Sequence, residues 1–302
     1  MIRRGVLGGL LAAALLSACA GAQTRQPTPE ASAFQSERIA ITVTGSGPDV
    51  ILIPGLTSSS SVWDTTRDAL AGRYRVHVVQ VRGFAGTEPV ANASGDVSAP
   101  VAEEIARYIE HVHLDHPAVI GHSMGGTIGM MLAARHPESV GRLMVVDMFP
   151  WMGAMFGPPG ATAESVRPVA EQMRERMRGA PQGASSSFTT QMIAGMVRTE
   201  SARPELERQS RESNNITVAN AFYELIVTDL RPELANIRAP LTVLYVIPPN
   251  LPITAEQYEG YMRASYASGP SARLVKIEDS YHFIMIDQFD RFMSEVNTFL
   301  AG

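Results

Sequence analysis

The chain reads Gly121-His122-Ser123-Met124-Gly125-Gly126 directly after the apolar run Pro117–Ile120 and directly before a helical pattern. A Gly-x-Ser-x-Gly pattern between a strand and a helix forces a sharp turn, which exposes the serine oxygen at the carboxyl edge of a sheet. The helix that follows directs its positive end at Ser123 and favours negative charge there. Alone, the pattern also fits a glycine-rich turn with an incidental serine. In this context it predicts a nucleophile.

Seven short runs rich in Val, Ile and Leu lie on both sides of this turn in the sequence. They are almost continuously apolar, which indicates strands buried on both faces of a mainly parallel sheet. Helical patterns separate most of them, so the sequence predicts an α/β fold with a doubly wound sheet. The predicted strands are Ile39–Val43, Val50–Ile53, Arg75–Val81, Ala118–Ile120, Arg142–Val146, Leu241–Ile247 and Arg273–Ile277. The predicted helices are Val62–Ala71, Pro100–His111, Gly125–Ala134 and Asp287–Leu300.

The strand pattern stops between about residues 149 and 234, where helix formers, methionine and small residues dominate. This change predicts a helical cap inserted into the sheet domain. Methionine adapts to irregular apolar ligands, so the cap is a candidate acyl site. Methionine at helical spacing is more often plain core, so the core interpretation is the stronger of the two.

The N-terminus carries Arg3 and Arg4, followed by an apolar stretch from Gly5 to Ala18. This stretch is too short to span a bilayer comfortably and predicts a signal peptide over residues 1–18. We therefore expect an exported bacterial protein, in the periplasm or anchored to a membrane.

Cys19 is the single cysteine of the chain, so no intrachain disulfide can form. It follows Leu16-Ser17-Ala18, and the four residues resemble the bacterial lipobox, in which the cysteine is diacylated and anchors the protein to a membrane. The alternative is cleavage after Ala22, which would discard Cys19. Residues 19–36 have no periodicity and predict a flexible tether ahead of the main domain, residues 37–302.

The composition and charge of the chain argue against a nucleic-acid-binding function. The chain has 302 residues, 45% of them hydrophobic, and a net charge of −5 without a basic block. A large core is therefore possible, and a nucleic-acid partner is not expected. His111, His113 and His116 lie close in sequence, but no carboxylate or cysteine constellation supports a metal site there. We predict neither a metal nor another cofactor.

Residues 37–302 resemble the α/β-hydrolase-fold family, where the Gly-His-Ser-Met-Gly-Gly elbow is common among esterase-like and lipase-like members. The resemblance implies a central sheet, an inserted cap and a triad in the order serine, acid, histidine. His282 lies just after the last predicted strand, where the family carries its base. His122 is interpreted as structural, because its side chain should point away from Ser123. A serine nucleophile disfavours the branches of the family that use aspartate.

The triad acid is not at the position where most members of the family carry it. Most members carry an aspartate after the strand that follows the cap, but this loop reads Pro248-Pro249-Asn250-Leu251-Pro252. A variation within the family places the acid at the end of the preceding strand, where this chain has Asp147. We predict Asp147 as the group that holds the imidazole tautomer and stabilises the imidazolium. Glu256 and Asp279 remain alternatives, and Asn250 can orient His282 without supplying charge.

Acyl transfer also needs two hydrogen-bond donors for the developing oxyanion. The backbone amide of Met124 is one candidate, since it follows the nucleophile at the start of the helix. The resemblance places the other at the amide of Leu56, where Pro54-Gly55-Leu56 stands for the family's His-Gly-x.

Together these features predict a cofactor-independent serine hydrolase that acts on carboxylic esters through an acyl-serine intermediate. The expected substrate is a small-molecule ester with an apolar acyl group. Two alternatives remain open: a cofactor-free perhydrolase or haloperoxidase-like enzyme with the same triad, and a non-catalytic ligand-binding protein on the same fold.

Overall fold

Seven strands form one central sheet at the core of the protein: β1 Ile39–Gly45, β2 Asp49–Ile53, β3 Arg75–Val81, β4 Ala118–His122, β5 Arg142–Val146, β6 Leu241–Tyr245 and β7 Arg273–Lys276. Their order across the sheet is β1-β3-β2-β4-β5-β6-β7. β1 runs antiparallel to β3, and every other neighbouring pair is parallel. The predicted α/β fold class is confirmed.

The computed structural model describes residues 34–158, 160–183, 187–249, 253–269 and 272–302. The predicted signal peptide, Cys19 and most of the predicted tether lie outside these residues, as does Asn250. Within the described ranges, no helix combines the length and the apolar character needed to cross a membrane.

Helices cover both faces of the sheet, as the continuous apolar runs require. β2 shows why: Ile51 and Ile53 pack into the core on one face, and Val50 and Leu52 into the core on the other. The helices are α1 Asp64–Leu70, α2 Ser98–His111, α3 Met124–Arg135, α4 Ala163–Arg178, α5 Ser187–Met196, α6 Arg203–Glu212, α7 Asn215–Val227, α8 Ala255–Ser265, α9 Ile284–Asp287 and α10 Phe289–Ala301. Side chains of α2, α3 and α8 join the first core, and those of α1 and α10 join the second.

Four helices, α4 to α7, lie between β5 and β6 in the chain, within the segment predicted as a cap. α4 and α7 share a small apolar cluster that contains Val166, Ala170 and Ile226. Ile193 of α5 and Leu206 of α6 join the core that contains α1 and α10 side chains, and Ala221 and Leu225 of α7 join the other core. The cap is therefore packed on the sheet domain through α5, α6 and α7.

Residues 34–36 contact the domain, although the sequence interpretation places them in the tether. The ring of Phe34 packs edge-on against Tyr108 of α2, with ring centroids 5.0 Å apart. The Ser36 hydroxyl accepts hydrogen bonds from the amides of Arg38 and Ile39, each at 3.0 Å. The domain thus begins at Phe34 in the structure.

Candidate active site

The elbow is a strained turn between β4 and α3. Ser123 has φ 53° and ψ −122°, a conformation that non-glycine residues rarely adopt. A Cβ at Gly121 would lie 2.1 Å from the carbonyl oxygen of Gly125, and one at Gly125 would lie 2.2 Å from that of Ile53. The two glycines of the motif are therefore required by close backbone packing. The Ser123 amide donates to the carbonyl oxygen of Val146 at 2.9 Å, which joins the elbow to β5.

His282 and Asp147 form a short hydrogen bond. The Nδ1 atom of His282 lies 2.6 Å from Oδ2 of Asp147, and the side chains are 18% and 12% exposed. The other carboxylate oxygen, Oδ1, accepts a hydrogen bond from the amide of Val246 at 3.0 Å. Both oxygens of Asp147 are therefore engaged, and the carboxylate is fixed in orientation. The residue ends β5 with φ 53°, a second strained position in the site.

His122 holds the loop that carries His282 against the elbow. Its Nε2 donates to the backbone oxygen of His282 at 3.0 Å, and the two imidazole rings are 4.6 Å apart between centroids. Burial lowers the pKa of His122 well below its ordinary value, with a further contribution from His282. His122 thus remains a neutral donor, and its buried Nδ1 has no hydrogen-bond partner among the described residues.

The predicted oxyanion donors belong to two segments next to Ser123, the turn that follows β2 and the first turn of α3. Gly55 to Ser58 form a turn closed by a 3.2 Å hydrogen bond from the Ser58 amide to the Gly55 carbonyl, with Thr57 at φ 61°. A Cβ on Gly55 would be 3.1 Å from the Cβ of Ser123, so this turn, which contains Leu56, contacts the nucleophile. Met124 is the first residue of α3, where backbone amides have no acceptor within the helix.

The other candidate acids and bases lie elsewhere. Asp279 pairs with Arg198 at 2.8 Å and its side chain is 75% exposed. Glu256 is exposed in the first turn of α8. His77 is buried between Asp49 and Tyr108, and His136 pairs with Glu103. In the part of the chain that is described, no group of three or more His, Cys, Asp or Glu side chains is arranged to hold a metal ion.

Three groups near the site were not predicted from the sequence. One is the Val246 amide, which any residue except proline would supply at that position. The second is Asp287, whose carboxylate accepts from the amides of Tyr281, Arg198 and Thr199 at 2.8 to 3.0 Å. The third is Gln209 of α6, which binds the Ser59 amide at 2.8 Å. Sequence position gave no signal for Gln209, because glutamine is ordinary on an amphipathic helix.

A mainly parallel sheet with helices on both faces, and a strained serine between a central strand and a helix, define an α/β hydrolase. The family described as alpha/beta hydrolase fold matches residues 48–289, most of the chain, and this chain belongs to it.

Similar proteins include several esterases. The chain is 28% identical over 271 residues to the pimeloyl-[acyl-carrier protein] methyl ester esterase of Aeromonas hydrophila subsp. hydrophila, covering 85% of this chain and 97% of that protein. A protein of the same name from Aliivibrio fischeri (strain MJ11) is 26% identical over 264 residues, with coverage of 85% and 95%. Among solved structures, the enol-lactonase from Burkholderia xenovorans LB400 has the same fold, with a TM-score of 0.70, 19% identity and coverage of 87% and 96%.

Proposed function

We propose that the protein is a carboxylic-ester hydrolase in which Ser123 is the nucleophile. The observation that carries the proposal is the 2.6 Å hydrogen bond between His282 and Asp147, supported by the hydrogen bond from His122, the neighbour of Ser123, to the His282 backbone oxygen. A base whose orientation is fixed by a carboxylate is what activation of a serine hydroxyl requires.

In the acylation step, the Ser123 oxygen attacks the ester carbonyl carbon and its proton passes to Nε2 of His282. Asp147 holds Nδ1 protonated, which leaves Nε2 free to accept that proton, and it stabilises the resulting imidazolium. The carbonyl oxygen becomes an oxyanion that accepts hydrogen bonds from the amides of Leu56 and Met124. When the tetrahedral intermediate collapses, the ester C–O bond breaks and the alcohol leaves with the proton from His282.

In the deacylation step, a water molecule attacks the acyl-serine carbonyl while His282 takes up one of its protons. A second tetrahedral intermediate forms in the same oxyanion hole and releases the carboxylic acid. The proton then returns from His282 to the Ser123 oxygen, so the cycle needs no cofactor.

The esterase relatives support this class of reaction. These relatives are named as methyl ester esterases, so we propose methyl and other simple alkyl esters with apolar acyl chains as the first substrates to test. The Met-rich cap is the segment of this chain that suits an apolar acyl group.

Fluorophosphonate labelling with mass mapping tests the nucleophile, and a panel of methyl and p-nitrophenyl esters of increasing acyl length tests the reaction. We expect wild-type protein to be labelled at Ser123 and to hydrolyse esters, and Ser123→Ala to lose both properties. Ser201→Ala, at an exposed serine of the cap, is the matched control. A folded wild-type protein that is not labelled would contradict the proposal and favour a ligand-binding role. Peroxide-dependent halogenation exceeding ester hydrolysis would favour the perhydrolase alternative.

We further propose that the chain is exported and anchored through a lipid on Cys19. The charged start, the short apolar stretch and the lipobox-like Leu16-Ser17-Ala18-Cys19 support this proposal. Radiolabelled palmitate should be incorporated into the wild-type protein in a bacterial host, and Cys19→Ala should abolish incorporation. Recovery of wild-type protein with Gln23 as its N-terminal residue would instead identify cleavage after Ala22.

A further inference from the structure

The cap helix α6 contacts the turn that carries Leu56, through Gln209. This side chain is 2% exposed. Its Oε1 accepts a hydrogen bond from the Ser59 amide at 2.8 Å, and its Nε2 donates to Oε1 of Glu205 at 2.8 Å, one helical turn earlier. A buried amide with both ends engaged has a single favourable orientation. Gln209 therefore holds Ser59, the residue directly after the turn.

Ser213, just after α6, contacts the same turn at Thr57. The residue is 1% exposed, and its hydroxyl lies 2.8 Å from the Gln209 carbonyl oxygen and 3.3 Å from that of Thr57. The hydroxyl oxygen also accepts a hydrogen bond from the Ala85 amide at 2.9 Å. The single hydroxyl proton goes to the nearer Gln209 oxygen, so Ser213 packs beside Thr57, and the cap is hydrogen-bonded to this segment at Ser59, three residues after Leu56.

The turn needs external support because Thr57 is strained. A β-branched residue at φ 61° is a rare, unfavourable conformation that persists only where the surrounding structure determines it. Without the contacts from α6, the turn can relax to a conformation in which Thr57 has negative φ. Such a change would move the neighbouring Leu56 amide relative to Ser123.

We infer that Gln209 and Ser213 are positioning residues, which hold the Leu56 amide where the oxyanion forms and so couple the cap to transition-state stabilisation. The inference rests on the proposed function, because this amide matters only if Ser123 attacks an acyl carbonyl. The cap then contributes to the reaction rate through the geometry of the oxyanion hole, in addition to any contact that it makes with the acyl chain.

The test compares Gln209→Met, which keeps the length of the side chain and removes both polar atoms, with Glu207→Gln on the same helix. Three quantities are measured: kcat and KM for a p-nitrophenyl ester, the Ki of a boronic acid that forms a tetrahedral adduct with Ser123, and the active-site concentration by fluorophosphonate titration. A boronate oxygen occupies the oxyanion position, so its affinity reports the geometry of the hole directly.

We expect Gln209→Met to lower kcat by about 10- to 100-fold per titrated site, to leave KM within about threefold, and to raise the boronate Ki in parallel. Glu207→Gln should match the wild type. The double variant Glu205→Gln/Gln209→Glu exchanges the two groups and returns an acceptor to Ser59, so it should recover most of the lost kcat.

A merely structural role gives a different result, because partial unfolding lowers the number of titrated sites and leaves the boronate Ki of the remaining sites unchanged. Any one of three results would overturn the inference: an unchanged boronate Ki at the remaining sites, a wild-type kcat in Gln209→Met, or no recovery of kcat in the exchanged double variant. If Gln209→Met does not fold, Ser213→Ala is judged by the same kcat and Ki criteria. Wild-type ester hydrolysis tests the proposed function separately, since it does not depend on any of these variants.

Discussion

Replacing Asp147 by asparagine tests the least expected member of the proposed triad. The carboxylate accepts two hydrogen bonds, from Nδ1 of His282 at 2.6 Å and from the Val246 amide at 3.0 Å. An asparagine side chain has one oxygen and one NH2 group, so it can accept only one of the two. If its oxygen remains with the Val246 amide, its NH2 group faces His282 and favours the tautomer with the proton on Nε2. That tautomer cannot take the proton from Ser123.

The expected loss follows from this tautomer exchange. In a well-studied Ser-His-Asp triad the same substitution lowers kcat by about 10⁴-fold, or about 5.4 kcal/mol of transition-state stabilisation. The fixed Val246 amide makes the unfavourable orientation the preferred one here, so we expect a loss of about the same size. KM should change little, because Asp147 acts on the reacting groups through His282.

The assay is the steady-state hydrolysis of a short p-nitrophenyl ester, with thermal unfolding of each variant as the check on folding. Asp279→Asn and Glu256→Gln are matched controls, since each removes one of the alternative acids, and both should retain near wild-type kcat. A folded Asp147→Asn enzyme with more than about a tenth of wild-type kcat would refute the reasoning. So would a loss of about 10⁴-fold in either control.

Three further results are expected. Gly125→Ala should lower Tm by several degrees and abolish ester hydrolysis, because its Cβ would lie 2.2 Å from the Ile53 carbonyl oxygen; normal activity would contradict the required close packing. Asp287→Asn should destabilise the fold by about 2 kcal/mol in urea unfolding, since its carboxylate accepts from three backbone amides including that of Tyr281. Burial holds the pKa of His122 low in the folded protein. Below about pH 6.5, the unfolded chain therefore takes up a proton at His122 that the folded chain does not. The free energy of unfolding then falls by up to about 1.4 kcal/mol for each pH unit because of this group. His122→Gln should therefore lose stability less steeply on acidification, and an unchanged slope would show that His122 is not the titrating group.

The sheet was predictable because its strands are buried on both faces. All seven apolar runs are strands in the structure, and runs such as Val50–Ile53 owe their continuous apolar character to the two cores that β2 separates. The cap was predictable as a segment but not as individual helices. Its helices pack on one another and on the main core, and sequence periodicity does not show which face meets which partner.

The sequence predicted those parts of the site whose geometry depends on residues that are neighbours in the chain. Ser123 stands in a motif whose geometry depends on neighbouring residues, and its strained turn is present in the structure. Asp147 and His282 are 135 residues apart, so the sequence offered each as a candidate and could not establish their contact. Gln209 lies 150 residues from Ser59, and only the folded chain brings the two together.

The position of Asp147 at the end of β5 also bears on how such an enzyme can diversify. If the acid came from the segment after β6, that segment would be constrained in length and sequence by the reaction. Among the described residues after β6, the Val246 backbone amide supports Asp147, and every residue except proline supplies such an amide. Pro248 and Pro249, described residues that follow, are not part of the proposed triad. They can therefore be substituted to change substrate preference while the proposed proton-transfer groups stay in place.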